Sequence, residues 1–239
     1  MRLPGKLKLA LALVISSAAA VTSYRGFARR WLTTWGATEA EHTMKLAGDE
    51  LVRGGVNAPL NMTQAITIGA PPHKVWPWLV QIGQDRAGFY SFEKLERILG
   101  FGIYNTYRIM PEWQNLKSGD FCTFQKSGIG MVVVDVKENS HLVMLTDSNK
   151  RTNLWSGQME LQMPESWNWY VAWNWSFNLI ELLGGRTRLL VRGLAAWNPV
   201  NPIVDFLLDF FGGVSSCIMQ MQMCRELKQL AEGTHRALK

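Results

Sequence analysis

Charge is scarce in this chain: Asp, Glu, Lys and Arg make up 18% of its 239 residues, against about a quarter in ordinary soluble domains. Cysteine is scarcer still, at three residues, and histidine stops at four. An odd number of cysteines excludes a complete set of internal disulfides. Cys217 and Cys224 lie seven apart in a stretch of helical spacing, about 10.5 Å along a helix axis, and a disulfide needs Cα atoms within ~7 Å. They read as buried free thiols, which leans toward a reducing compartment. His42, His73, His141 and His235 have no Cys or carboxylate at ligand spacing, so no metal centre is expected. Gly100-Phe101-Gly102 lacks the third glycine of a dinucleotide fingerprint, and neither a Walker loop nor a nucleophile elbow occurs. No cofactor is expected either. A mean hydropathy of −0.04 excludes a polytopic membrane protein, and 47% apolar residues exclude a disordered tail, a collagen or a coiled-coil rod. What is left is a globular chain of one domain, or a domain plus an appended segment.

The net charge of +6 suggests polyanions until it is located. Residues 1–36 carry Arg2, Lys6, Lys8, Arg25, Arg29 and Arg30 and no acid, and the remainder balances 19 basic against 19 acidic residues. The globular part is therefore neutral, and no nucleic-acid partner is expected. The six charges bracket Leu9 to Tyr24, a run of 16 uncharged residues that reaches about 24 Å as a helix, short of a ~30 Å hydrocarbon core. Three readings stay open: a retained anchor or interfacial helix, a signal segment cut near Val21, and a packed helix. Arg25, Arg29 and Arg30 just beyond the run resist translocation and favour the anchor, on the cytoplasmic side. The chain accordingly divides into an N-terminal segment (1–30), a lead-in (31–60) and a main domain (61–239).

Periodicity gives the order of elements in that domain. A strand over Thr63 to Ile68 is stopped by Pro71-Pro72, which open a helix over Lys74 to Gln81. A second short helix covers Phe89 to Leu99, with Phe92, Leu95, Ile98 and Leu99 on its inner side. Period-two strands follow at Phe121 to Gln125, Met131 to Val136 and Leu142 to Thr146, then Val171 to Glu181 and Thr187 to Trp197 across a Gly184-Gly185 turn. On the first strand of that last pair, Val171, Trp173, Trp175, Phe177 and Leu179 form an aromatic, buried face. Ala172, Asn174, Ser176 and Asn178 form a small, polar one. A helical pattern then runs from Ile203 to Leu238, bent or broken at Gly212-Gly213. This is an α+β layout in which a curved antiparallel sheet grips a long terminal helix, with a separate apolar helix at the N-terminus.

Particular stretches resemble a known group. They are Ala65 to Pro72, then Val75-Trp76-Pro77-Trp78-Leu79-Val80-Gln81 through Gly88-Phe89-Tyr90-Ser91, together with Trp35-Gly36-Ala37-Thr38, Gly48-Asp49-Glu50-Leu51, Pro111-Glu112-Trp113-Gln114, Gly185-Arg186-Thr187-Arg188-Leu189 and Met219 to Lys228. Over residues 31 to 232 the chain resembles the SRPBCC group of START-like, helix-grip proteins. The resemblance implies a sheet wrapped around the last helix over a deep, mainly apolar cavity that takes lipids, sterols, polyketides or plant hormones. Some members of the group carry out cyclisation or dehydration there. The tryptophan-rich 167–175 segment and the Val204 to Phe211 run depart from the group, so no particular ligand carries over.

Two sets of residues are candidates for such a site. Asp85, Arg86 and Tyr90, with Asn105, Arg108 and Glu112 beside Phe89, Tyr104 and Trp113, can form a polar cluster at a cavity wall. There Arg86 would fork onto a carboxylate or phosphate, and Asp85, Tyr90 and Glu112 would be the acid/base groups of an enzyme. The same four ions, Asp85, Arg86, Arg108 and Glu112, can equally pair with one another to pin loops. Trp173, Trp175, Phe177, Met219 and Met223 either line the cavity or are plain core. Val204 to Phe211 touches membrane, gates the cavity or starts a buried helix. The function expected is binding, transport or sensing of a hydrophobic small molecule or lipid at a membrane. The alternative is a cyclase- or dehydratase-like enzyme, and an exported protein is the alternative location.

Overall fold

In a computed structural model of the chain, residues 22, 24–98, 100, 102–124, 128–148, 170–198, 205, 209 and 213–238 are described. Six strands form one antiparallel sheet: β1 (Leu60–Ile68), β2 (Phe121–Thr123), β3 (Gly130–Lys137), β4 (His141–Asp147), β5 (Tyr170–Leu182) and β6 (Arg186–Asn198). Their order is β1-β6-β5-β4-β3-β2, so β2 to β6 meander and β1 closes onto the last of them. The hairpin of β5 and β6 is the backbone of the sheet, paired from Tyr170↔Asn198 to Leu182↔Arg186. Its turn keeps Gly184 and Gly185 at φ of 80° and 67°, a conformation nearly free to glycine and strained for other residues.

Five α-helices complete the described part: α1 (Arg29–Thr33), α2 (Glu39–Thr43), α3 (Pro72–Leu79), α4 (Glu93–Ile98) and α5 (Val214–Ala231). Pro72 begins α3, where its missing N–H would have had no helical partner. α5 begins directly after Gly213, where the pattern predicted a break. The Val204 to Phe211 run lies outside the described residues apart from Asp205 and Asp209, as does the Leu9 to Val21 run. Among the described residues no helix is long and apolar enough to cross a membrane.

α5 lies on the inner face of the sheet. Met223, Cys224, Leu227 and Leu230 pack with Ile68, Phe177, Leu189 and Val191 in the main core, to which α3 adds Val75, Trp76, Trp78 and Leu79. Gln64 of β1 ties two further segments to this side, donating from Nε2 to the carbonyls of Leu32 (2.7 Å) and Cys217 (3.1 Å). Cys122, Cys217 and Cys224 are all free and buried, and burial pushes each thiol up to about 12, so they are protonated and unreactive at neutral pH.

The outer face corrects one expectation. Asn174, Ser176 and Asn178 are as buried as the apolar face, because the lead-in folds across them. Asn174 Nδ2 donates to the Gly48 carbonyl at 2.7 Å and its Oδ1 accepts from Leu194 N, while Asn178 Oδ1 accepts from Ala47 N. Gly48 sits so close that a Cβ there would stand 2.5 Å from Val143 Cγ1. Between these polar contacts, Leu46 packs on Ala65 and Leu190, and Val52 and Ala58 pack on Leu145, Ala172 and Leu194. At the centre, the fully buried Arg192 uses all five of its donors. Nε reaches Thr63 Oγ1, one terminal nitrogen reaches Met44 O and Asp49 Oδ2, and the other reaches Glu41 O and His42 O, all between 2.6 and 3.0 Å. Three of those carbonyls belong to the C-terminal end of α2, whose last carbonyls lack helical partners and attract a cation.

α4 corrects a second expectation. It is shorter than Phe89 to Leu99, because Tyr90 takes a φ of 51° that no helix accommodates. It is also turned the other way: Leu95 and Ile98 are 53% and 81% exposed while Glu96 is 2% exposed. Burial raises the Glu96 pKa above the ordinary carboxylate value.

Candidate functional site

Between α5 and the β5 end of the inner face the core is incompletely filled. A cavity of about 230 Å³ is walled by Met62 of β1, Trp173 and Trp175 of β5, and Ser216, Met219, Gln220 and Met223 of α5; loop residues Phe89, Ser91, Ile103, Phe124 and Ile129 close it. Its origin is visible in the pleat. Trp173 and Trp175 point to the same side as Phe177, but Phe177 is fully buried under α5 whereas the two tryptophans are only half-buried. Opposite Trp175 the neighbouring strand offers Gly193, over which Met62 and Trp173 lean: a Cβ there would stand 3.0 Å from Met62 Cε and 3.5 Å from Trp173 Nε1. Leu227 and Leu230, which pack the other end of α5 into the core, give way toward its start to Ser216, Met219 and Gln220.

The wall is aromatic and held in place. Phe124 meets Phe89, Trp173 and Trp175 edge-on at centroid distances of 5.6, 6.2 and 5.8 Å, an arrangement that ring quadrupoles favour. Gln220 joins wall to helix: its Oε1 accepts from Trp175 Nε1 at 2.9 Å, and its Nε2 donates to Val191 O at 3.3 Å. Ser91 Oγ donates to Met219 O at 3.3 Å, anchoring the loop before α4 on the long helix. The indole N–H of Trp173 is buried with no acceptor among the described residues.

Of the residues singled out from sequence, Phe89, Trp173, Trp175, Met219 and Met223 stand on this wall. Phe177 belongs to the solid core next to it, 4.8 Å from the Trp175 ring. The polar candidates form no cluster at the cavity. Asp85, Arg108 and Glu112 are exposed, and no salt bridge joins any of them to Arg86 or to one another among the described residues. Arg86 donates to the Trp113 carbonyl and lies near Cys122 at Gly83; burial lowers its pKa. Tyr90 is fully buried, its hydroxyl accepting from Gln81 Nε2 at 2.6 Å and its backbone N–H donating to Asn105 Oδ1 at 2.9 Å. Burial raises the Tyr90 pKa. Gln81 also reaches Arg108 O and Met110 N, so Tyr90, Asn105 and Trp113 are the pins of a loop framework.

The wall residues that sequence reasoning missed fall into two groups. Met62, Ser216 and Gln220 follow from the periodicity of β1 and α5 once those elements are oriented. Ser91, Ile103, Phe124 and Ile129 sit in or beside loops, where no period marks which side faces inward. No group of three or more His, Cys, Asp or Glu side chains able to hold a metal occurs among the described residues.

No family model matches the chain, and no curated protein matches it. Solved structures similar to it include hypothetical protein jhp0584 from Helicobacter pylori, at 11% identity and a TM-score of 0.43 over 79% of this chain and 98% of that one. Protein CV1439 from Chromobacterium violaceum is similar at 13% identity and a TM-score of 0.41, over 73% and 98%. Protein MLL2253 from Mesorhizobium loti is similar at 18% identity and a TM-score of 0.37, over 72% and 98%. Likeness at this level identifies neither a family nor a ligand.

Proposed function

We propose that this chain binds a hydrophobic small molecule in the cavity between α5 and the Trp173–Trp175 face of β5, and does so at a membrane. The observation that carries the reading is the cavity itself, a partly open space of about 230 Å³ with an almost wholly apolar wall. An apolar ligand seated there covers the exposed parts of Trp173 and Trp175, a gain of about 25 cal/mol per Å² of apolar surface removed from water. Met219 and Met223 suit such a wall, since an unbranched thioether adapts to ligands of differing shape. The described wall contains no acid or base, which favours binding over cyclase- or dehydratase-like turnover.

The fluorogenic apolar probe phenylnaphthylamine tests this. One equivalent is expected to bind the full chain, and Ser216→Trp, which fills the cavity from a half-exposed position, is expected to weaken binding at least tenfold with little change in thermal stability. Equal binding by the variant would overturn the reading.

The membrane part of the reading rests on the six basic residues that flank the N-terminal apolar run and on their attraction to anionic lipid. Removal of residues 1–21 is expected to move the protein from the membrane to the soluble fraction of expressing cells. The cut stops there because Tyr24 and Arg29 already belong to the fold: both bond Asp209, Arg29 at 2.8 Å.

A further inference from the structure

We infer that the molecule taken by this cavity is uncharged, with any oxygen or nitrogen function it carries also neutral. The inference rests on the binding reading above and deepens it by naming the chemical class of ligand. Every described residue of the wall is neutral: three methionines, two isoleucines, two phenylalanines, two tryptophans, two serines and one glutamine, a set that contains no Lys, Arg, His, Asp or Glu. An ionised group moved from water into such surroundings loses its hydration and finds no counter-charge, so it is excluded or neutralised. Arg86, the guanidinium that the sequence offered as a partner for a carboxylate or phosphate, donates to the Trp113 carbonyl, keeps its Nε without an acceptor among the described residues, and is not one of the wall residues.

The hydrogen-bonding capacity left in the wall is neutral as well. Gln220 is engaged on both sides, between Trp175 and the Val191 carbonyl. Ser91 has given its proton to Met219 O and keeps oxygen lone pairs. The Trp173 N–H has no acceptor among the described residues, and Ser216 is at the wall. An alcohol, ketone or ester matches these groups one at a time, whereas a carboxylate, which accepts several strong bonds at once, does not. With a volume below the ~300–1,000 Å³ of pockets that enclose drug-sized ligands, the cavity takes a small molecule or one end of a longer one.

The test is a competition on the full chain at neutral pH with phenylnaphthylamine bound as reporter. Decanol, decanoate and decyltrimethylammonium share one alkyl chain and differ only in the charge of the head group. Decanol is expected to displace the reporter at a concentration at least tenfold lower than either ion. A decanoate or decyltrimethylammonium that competes as well as decanol overturns the inference and leaves the binding reading standing. Failure of the reporter to bind at all defeats the binding reading, and this inference with it.

Discussion

The two faces of the sheet are built on opposite terms. On the outer face, polar side chains that alternate along β5 are buried, Asn174 and Asn178 bonded to the lead-in and Ser176 to Arg192 O and Asn178, with Arg192 at the centre engaging every donor it has. On the inner face, large aromatic side chains are left half-buried over an unfilled space. A buried polar group without a partner costs about 1–3 kcal/mol, so the outer face depends on its individual hydrogen bonds. The inner face depends on apolar contact, and where that contact is incomplete the space is open to an apolar molecule. The difference gives the outer face a structural role and makes the inner one the proposed binding face.

The sharpest way to break this contrast is Arg192→Ala. It leaves Asp49 buried without its 2.6 Å partner and the end of α2 uncapped, and is expected to destabilise the fold by about 3–5 kcal/mol in chemical denaturation. Asn174→Ala removes a donor to the Gly48 carbonyl, which keeps Leu51 N at 3.2 Å, and the side-chain acceptor of the Leu194 N–H, with an expected loss of about 1–3 kcal/mol by the same measurement. On the inner face, Trp175→Phe keeps an aromatic ring but removes the indole N–H that donates to Gln220. It is expected to cost only about 1 kcal/mol while lowering the affinity for phenylnaphthylamine, because the wall loses the larger indole face and Gln220 Oε1 loses its donor.

Acid separates the faces more gently. Arg188 grips Glu41 at 2.7 and 2.8 Å, and this holds the Glu41 carboxyl at about 2. A carboxyl depressed in the folded state stabilises it above its ordinary value of 4.5, and that contribution fades as pH falls toward 2. Amide protection factors, which allow for the intrinsic slowing of exchange in acid, are expected to fall in residues 36–46 between pH 5 and pH 3, with Arg188→Ala reducing that fall. The smallest effect is at Glu96. Its pKa is raised by burial, so ionisation at neutral pH opposes the fold, and Glu96→Gln is expected to leave stability unchanged or slightly higher at pH 7 and to lose that advantage in acid.

Much of the inner face was legible from the chain alone. The alternation from Val171 to Leu179 separated the two sides of β5, and Met219 and Met223 stood out as cavity wall or core, whereas the helical spacing through Val214, Ile218 and Met221 includes Ile218, which is 43% exposed. The outer face was not legible, because Asn174, Ser176 and Asn178 look like solvent-facing residues until the lead-in supplies Gly48 O and Ala47 N, and no periodicity in residues 44–58 announces that docking. α4 misled for a related reason. In a helix of six residues the few apolar side chains do not decide the orientation, and tertiary contacts placed Glu96 inside instead of Leu95 and Ile98. The polar candidates failed as a cluster because nearness in sequence between Asp85, Arg86 and Tyr90 does not set direction: Gly83 and Gly88 pair across this loop, so Asp85 at its tip faces solvent while Tyr90 faces the core.

Hydrogen exchange with and without saturating phenylnaphthylamine tests the division between the faces most directly. Protection is expected in residues 173–175 and 216–223, with none in the lead-in at 44–58. Protection of the lead-in, or none along α5 and β5 while the probe is bound, would contradict the account.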